Sequence, residues 1–356
     1  MLHGTRQERR PVRLLARSML NAAAFALGLA AMAVALSPFA PELPVSGASA
    51  KLASLAAHGE EFDVLFIGSS RIYHQLIPGQ FDRLMAAGGS PTRSFNLALD
   101  GLRAPEDSYL LDRALRGRRA PLRWVIVEPC EIQTAMKPGV RDTSRGVYWH
   151  DWPRMGWLLR RLVAGKGAAH TSWPNRISLL WRESDEFLEQ CRHGLANGLH
   201  IGRGRMLIDA LSRPSGETPP PSAPAWDGYL AARTESMPPA ELAEYELALT
   251  ELRRNPPEAD YGDPTSQALI RRMQQQVAAA GGRLVLIIPP TLRGAKFRPD
   301  PRHLPGLLCL DFADPDRQPQ LFAAEHRRDN THLNRAGSEC LTQLLAESLL
   351  ESCRDR

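Results

Sequence analysis

The sequence lacks the glycine-rich loops that bind phosphate groups, because neither Gly-x-x-x-x-Gly-Lys-Ser/Thr nor Gly-x-Gly-x-x-Gly occurs in its 356 residues. It also has few cysteines, and these show neither a Cys-x-x-Cys pair nor a Cys/His spacing typical of a metal site. The five are Cys130, Cys191, Cys309, Cys340 and Cys353. One pair of them can form a disulfide in an oxidising compartment, but the spacing does not identify it. We therefore expect no metal and no cofactor.

A basic stripe interleaved with aromatic residues is also missing, although the net charge is +5. Five of the arginines lie directly before a long apolar segment, at Arg6, Arg9, Arg10, Arg13 and Arg17. Basic residues in this position set the orientation of a membrane helix. The excess charge therefore indicates membrane topology, and we expect no nucleic-acid partner.

The apolar segment runs from about residue 18 to residue 36, which is long enough to cross a bilayer once. The arginines before it place the N-terminal side in the cytoplasm, so the rest of the chain is expected in the periplasm or another extracytoplasmic space, anchored to the inner membrane. A cleaved secretory signal ending near Ala48-Ser49-Ala50 and a buried soluble helix are the alternatives. The expected organisation is a cytoplasmic basic tail, a transmembrane anchor, a tether and a folded domain at residues 1–17, 18–38, 39–60 and 61–352.

Short apolar runs alternate with helical patterns in two parts of the expected domain. Strands are predicted at 62–67, 93–99, 124–128, 284–288 and 307–312, and helices at 77–87, 105–115, 265–280 and 335–350. This alternation predicts an α/β fold with a parallel sheet covered by helices on both faces. Residues 138–262 show no such alternation and hold six of the seven tryptophans, so we interpret them as a long insertion with helices at 153–164, 176–191 and 239–254.

Two polar segments that are far apart in the sequence have complementary chemistry. The first predicted strand ends in Gly68-Ser69-Ser70, and Asp329-x-x-His332 precedes the last helix. A serine hydroxyl becomes nucleophilic when an imidazole removes its proton and a carboxylate orients that imidazole. Each segment alone is also typical of a turn or a helix cap. Together they predict a Ser70-His332-Asp329 triad, with the backbone amides of Ser70 and Gly101 as the oxyanion hole.

These blocks resemble the SGNH/GDSL hydrolase superfamily, over roughly residues 61–130 and 265–350. The family's Gly-Asp-Ser block is similar to Gly68-Ser69-Ser70, its glycine block to Asn96–Gly101, and its Asp-x-x-His block to Asp329–His332. The resemblance implies a flavodoxin-like three-layer fold and serine-dependent esterase or O-acyltransferase activity. The family's third block, Gly-x-Asn-Asp, is not matched, since the corresponding strand end reads Val-Glu-Pro-Cys over 127–130.

Within the superfamily, Gly-Ser-Ser behind a single N-terminal anchor is similar to the envelope-polymer branch, which includes alginate O-acetylation proteins and the D-alanyl transfer protein of teichoic acids. That likeness implies a polysaccharide or other polymer as acyl acceptor and a membrane-bound O-acyltransferase as partner. The missing asparagine favours an alternative, namely an inactive scaffold of the same fold that binds glycan or the acyltransferase.

Five residues are further candidates for substrate binding: Arg71, Asn96, Glu128, Trp149 and Trp152. Arg71 and Glu128 follow strand ends at the predicted site, and Asn96 opens the glycine block. The tryptophans suit an aromatic platform for sugar rings. The alternatives are an arginine paired with a carboxylate and tryptophans that pack the insertion against the core.

Overall fold

The computed structural model of the chain describes residues 9–133, 135–164, 173–204, 208, 226–231, 237–257, 261–292 and 297–354. Five strands form one sheet: β1 (Val64–Ile67), β2 (Ser94–Asn96), β3 (Trp124–Val127), β4 (Arg283–Ile288) and β5 (Leu308–Asp311). All paired strands are parallel, and their order is β2-β1-β3-β4-β5. This is the order of flavodoxin-like doubly wound sheets. The predicted α/β class and parallel sheet are confirmed.

The central strands are continuous apolar runs because both faces of the sheet are covered. Every residue of β1 is completely buried. Leu65 and Ile67 point into one core cluster, whereas Val64 and Phe66 point into the other. The sheet therefore separates two cores, as the two-residue period of a strand requires.

Helices α1 to α11 span Arg9–Leu36, Ala48–His58, Ser70–Tyr73, Pro78–Ala87, Glu106–Leu115, Pro138–Arg141, Trp152–Ala164, Trp173–Gly198, Pro239–Arg254, Pro264–Ala279 and Arg335–Arg354. Short 3₁₀ turns lie at Ser37–Phe39, Gly59–Glu61, Ser144–Gly146, Pro319–Phe322 and Ala324–His326. Helices α2, α5 and α10 cover one face of the sheet, and α4 and α11 cover the other. The result is three layers.

The segment 39–60 is part of the folded body, which corrects the expectation of a simple tether. It contains α2, which packs against α5. Ala48 and Lys51 of α2 are buried, and the Lys51 amine donates hydrogen bonds to the carbonyls of Asn96 (2.9 Å) and Ala98 (2.5 Å). The whole side chain is buried, and the two carbonyls compensate part of the cost of removing the amine from water.

The insertion contributes to the main core. Its predicted helices are present as α7, α8 and α9. The bounds of α9 agree with the prediction, α7 begins one residue earlier, and α8 extends beyond both predicted ends, over Trp173–Gly198. Helix α7 packs against α8 and α10. Trp157 and Leu158 of α7 belong to the core cluster that contains Leu65 and Ile67 of β1. Tyr148 and Trp149 belong to this cluster as well.

One helix in the described part of the chain is long and apolar enough to cross a membrane, over Ala16–Phe39. Its mean hydropathy is 2.0, and 6% of the most apolar window is buried. The end of this helix lies against the turn after α8, where His200 Nε2 is 3.1 Å from the Ala33 carbonyl oxygen and 3.2 Å from Ser37 Oγ. The insertion therefore contacts the C-terminal end of the apolar helix.

Candidate active site

The turn after β1 presents Ser70 at the carboxyl edge of the sheet. Ser69 is the N-cap of α3, and its hydroxyl accepts from the Arg71 amide at 3.3 Å. Gly68 allows this tight turn because a Cβ there would lie 2.3 Å from Cγ1 of Ile72 and 2.8 Å from Cβ of Glu128. The strand end, the glycine and the cap thus place Ser70 as the first residue of α3.

The structure brings together the two segments that the sequence separates by 262 residues. Ser70 Oγ lies 2.8 Å from His332 Nε2, and His332 Nδ1 lies 2.9 Å from Asp329 Oδ2. A carboxylate only accepts hydrogen bonds, so Nδ1 carries the proton and Nε2 accepts that of Ser70. Hydroxyl, imidazole and carboxylate form one continuous hydrogen-bonded chain.

The turn around Asp329 keeps its carboxyl group ionised. Burial by itself raises the pKa of this carboxyl, but hydrogen bonds from the His332 ring and from the amides of Thr331 and His332 outweigh burial and hold the pKa well below its ordinary value. The two amides donate to Oδ1 at 2.6 and 2.8 Å. A turn of this kind, in which an aspartate accepts from the backbone that follows it, fixes both partners of the pair.

Two backbone amides near Ser70 are available to a ligand. Among the residues that the structure describes, neither the Ser70 amide nor the Gly101 amide has a hydrogen-bond acceptor. Gly101 adopts a φ of 65°, which is a conformation that favours glycine. Its neighbour Asp100 is held by His74, with Nε2 and Oδ1 2.9 Å apart.

Ser70 and His332 line an open cleft of about 820 Å³. The wall also includes Gly101, Arg103, Glu128, Glu131, Lys137, Glu241, Phe297 and Asp329. Glu241 belongs to α9, so the insertion supplies part of the wall. No group of His, Cys, Asp and Glu side chains suited to a metal ion occurs in the described ranges.

Arg71 and Glu128 both line the cleft, but each is engaged by the other. Glu128 is 1% exposed, pairs with the Arg71 guanidinium and accepts from the Ser69 amide at 2.7 Å. The alternative of an arginine paired with a carboxylate is therefore confirmed. The pair ties the end of β3 to the turn that carries Ser70.

Asn96 does not line the cleft, which corrects its prediction as a substrate-binding residue. It is completely buried, and its amide nitrogen donates to the carbonyls of Ile72 and Leu76, each at 3.0 Å. Its Oδ1 accepts from the Ala98 amide at 3.1 Å. Asn96 therefore joins the end of β2 to the end of α3, because a buried amide must satisfy both its donor and its acceptor.

Trp149 and Trp152 do not form an aromatic platform at the cleft. Trp149 is 7% exposed and stacks on His150, with ring centroids 3.7 Å apart. Trp152 begins α7 and is 77% exposed, away from the cleft wall. Packing against the core, the alternative for the two tryptophans, is confirmed for Trp149 and is wrong for Trp152.

Cys130 is a second potential nucleophile in the cleft wall, yet its environment keeps it protonated. Burial raises the pKa of the Cys130 thiol well above its ordinary value, and the carboxylates of Glu128 and Asp107 raise it further. The thiolate is the reactive form of cysteine. Ser70 is therefore the group in this cleft that has a base beside it.

Sequence reasoning missed two cations that line the cleft, Arg103 and Lys137. Both lie in loops, where neither strand nor helix periodicity predicts which way a side chain points. Comparison of the sequence with protein-family models and with curated proteins gives no match. The resemblance to SGNH hydrolases therefore stays a prediction from the short blocks around Ser70, Gly101 and His332.

Proposed function

We propose that the protein is a membrane-anchored serine acyltransferase or esterase of the SGNH type, which holds an acyl group on Ser70. The observation that carries this proposal is the hydrogen-bonded chain from Ser70 through His332 to Asp329 at the carboxyl edge of a parallel sheet. Sites in open α/β sheets form at this edge. The strand order and the two unbonded amides support the same assignment.

In the first half-reaction, Ser70 Oγ bonds to the carbonyl carbon of an acyl donor while His332 Nε2 takes the hydroxyl proton. The carbonyl electron pair moves onto oxygen, which faces the amides of Ser70 and Gly101. The carbonyl then re-forms, the bond to the leaving oxygen breaks, and that oxygen takes the proton from His332. The product is an ester on Ser70.

In the second half-reaction, an acceptor hydroxyl or a water molecule attacks this ester. His332 accepts the proton of the attacking group and returns it to Ser70 Oγ as the ester bond breaks. Asp329 remains ionised throughout and stabilises the imidazolium that forms each time. An alcohol acceptor makes the protein a transferase, and water makes it an esterase.

The arginine-rich N-terminus and the apolar helix support a periplasmic or other extracytoplasmic location on the inner membrane. There the acceptor would be a cell-envelope polysaccharide or another polymer, and the donor a membrane-bound O-acyltransferase that exports acyl groups. The open cleft of about 820 Å³ supports this proposal, because its volume lies in the range of ligand sites.

The test is Ser70→Ala in the full chain, with a fluorophosphonate probe and p-nitrophenyl acetate as reagents. We expect probe labelling and Ser70-dependent turnover to fall to background with an unchanged melting temperature. Ser348→Ala is the matched control, because this hydroxyl lies on α11 and bonds to the Leu344 carbonyl at 2.8 Å. Wild-type protein that labels no better than Ser70→Ala would instead favour an inactive scaffold that binds glycan or the acyltransferase, the reading that the missing asparagine supports.

A further inference from the structure

The proposed oxyanion hole has two backbone donors but no side-chain donor at the end of β3. Glu128 stands there, and an ionised carboxylate accepts hydrogen bonds without donating any. Its oxygens are already occupied by the Arg71 guanidinium and the Ser69 amide. A third donor for a negative charge that develops near Gly101 would therefore have to come from another part of the chain.

Lys137 lies beside Gly101 in the same cleft. Its Nζ is 2.5 Å from the position that a Cβ of Gly101 would occupy, so a side chain at residue 101 would displace the ammonium group. Lys137 and Gly101 both line the cleft that contains Ser70 and His332. The ammonium is thus placed next to one of the two unbonded amides.

No hydrogen bond or ion pair engages the Lys137 amine in the part of the chain that the structure describes. The nearby carboxylates have other partners, since Glu106 bonds to Arg145 at 3.0 Å and Asp100 bonds to His74 at 2.9 Å. Burial lowers the pKa of Lys137, and the charges of Arg103 and Arg145 lower it further, with Asp100 and Glu106 opposing them. The Lys137 side chain is exposed to the cleft and has no counter-ion within reach among the described residues, so its charge is available to an anion that forms beside Gly101.

We propose that Lys137 is the third donor of the oxyanion hole and replaces the asparagine that is missing from the third block. This inference rests on the function proposed above. When Ser70 Oγ bonds to the acyl carbon, the carbonyl oxygen gains negative charge near the Gly101 amide and the Lys137 ammonium. The lysine donates a hydrogen bond and keeps its proton. Because the interaction strengthens as charge develops, it lowers the barrier more than it stabilises the bound ester.

A different use of Lys137 is recognition of an anionic group of the substrate together with Arg103. The two roles differ in what they require of the substrate. An oxyanion forms on every acyl donor, including a neutral one, whereas an anion subsite acts only on charged substrates. Hydrolysis of the neutral ester p-nitrophenyl acetate therefore separates them.

The experiment compares wild type, Lys137→Met, Lys137→Arg and Ser70→Ala in the full chain. Lys137→Met should lower kcat for p-nitrophenyl acetate about 10²- to 10³-fold, the usual effect of removing one oxyanion donor, with little change in KM. Lys137→Arg should recover a substantial part of the loss because it retains the charge. Arg83→Met removes an exposed charge on α4 and should match wild type. Melting temperatures should be the same for all variants.

Two outcomes would overturn the inference, and a third would remove its basis. If Lys137→Met keeps wild-type kcat while Ser70→Ala is inactive, Lys137 is not an oxyanion donor, although the serine mechanism survives. If Lys137→Met raises only the KM of anionic esters, the residue belongs to an anion subsite. If wild type and Ser70→Ala are equally inactive and unlabelled, the acyl-transfer function fails together with the role of Lys137.

Discussion

Ser69 and Ser70 are adjacent, yet their hydroxyls have different surroundings. The Ser69 hydroxyl turns back onto α3 and accepts from the amide of Arg71, as an N-cap residue does. Ser70 is the next residue, and its hydroxyl points away from the helix toward His332. The cap therefore fixes the start of α3 and with it the direction of the Ser70 side chain.

Asp329→Asn should leave the fold intact and remove most of the activity. The amide is uncharged, and its nitrogen can donate to Nδ1, so the imidazole loses its charged partner and can adopt the wrong tautomer. We expect kcat for p-nitrophenyl acetate to fall on the order of 10³- to 10⁴-fold, by analogy with serine proteases. An effect smaller than tenfold would contradict the role given to Asp329.

The effect of Asp329→Asn on the free energy of unfolding should depend on pH. The pKa of Asp329 is lower in the folded protein than its ordinary value of 3.8, so the carboxylate stabilises the fold above that pH and the benefit is lost as the pH falls. The difference in free energy of unfolding between wild type and Asp329→Asn should therefore shrink below about pH 4. Urea unfolding at several pH values measures it.

Gly68→Ala should destabilise the protein and disturb the nucleophile. The added methyl group would lie 2.3 Å from Ile72 Cγ1 and 2.8 Å from Glu128 Cβ, so α3 must move. Overpacking of this kind typically costs about 1–3 kcal/mol. Gly156→Ala is the control, because no atom lies within 4 Å of its new Cβ and helix α7 favours alanine. Equal denaturant midpoints for the two variants would show that Gly68 has room.

The five strands and the longer helices of the sheet layers could be predicted because each carries a local signal. The apolar run Val64–Ile67 ends at Gly68, and the run Trp124–Val127 ends shortly before Pro129. Helix α10 begins with an Asp-Pro cap at Asp263 and Pro264. The triad could be predicted for the same reason, since each of its blocks sits at an element end. Asn96 also sits at a strand end, but the sequence does not tell whether its amide meets a ligand or the backbone.

Helix α2 shows what the sequence could not predict. The buried residues of this helix are Ala48 and Lys51. A hydrophobicity pattern predicts that a lysine is exposed to solvent. Only the tertiary contacts, two backbone carbonyls and the Tyr73 ring 3.6 Å from the amine, explain its burial. The position of Lys137 beside Gly101 could not be predicted for a related reason. It depends on how two loops pack against each other.

Lys51 should make stability depend on pH. Burial lowers its pKa from 10.5 to about 6, and Asp100 and Asp227 oppose this shift. Between these pH values the unfolded chain holds the proton and the folded chain does not, so the free energy of unfolding rises with pH, by up to about 1.4 kcal/mol per pH unit. Below about pH 6 both states are protonated and the slope vanishes.

Lys51→Met removes this titrating group and should give a flatter pH profile. Chemical unfolding of both proteins between about pH 6.5 and 8.5 measures how the free energy of unfolding changes with pH in each. The slope gives the number of protons taken up on unfolding. Parallel profiles would mean that the folded protein keeps the amine charged. Because Lys51 holds the carbonyls of Asn96 and Ala98, the variant also reports on how firmly the loop toward Gly101 is held.

At the scale of the whole molecule, the candidate site lies where the strand order reverses. The chain moves from β1 to β2 on one side and then to β3 on the other, which leaves a crevice between the ends of β1 and β3. Ser70 follows β1 and Glu128 follows β3. The insertion closes part of this crevice, since Glu241 of α9 lines the cleft, together with Lys137, the residue directly before the insertion.

The distribution of the triad along the chain has a consequence for biosynthesis. Ser70 emerges from the ribosome 262 residues ahead of His332, and the nucleophile has no base until the last part of the chain has arrived. A polypeptide that stops early therefore carries a serine without its base. Under the proposed function, incomplete copies cannot cleave esters, because the imidazole arrives only with the C-terminal segment.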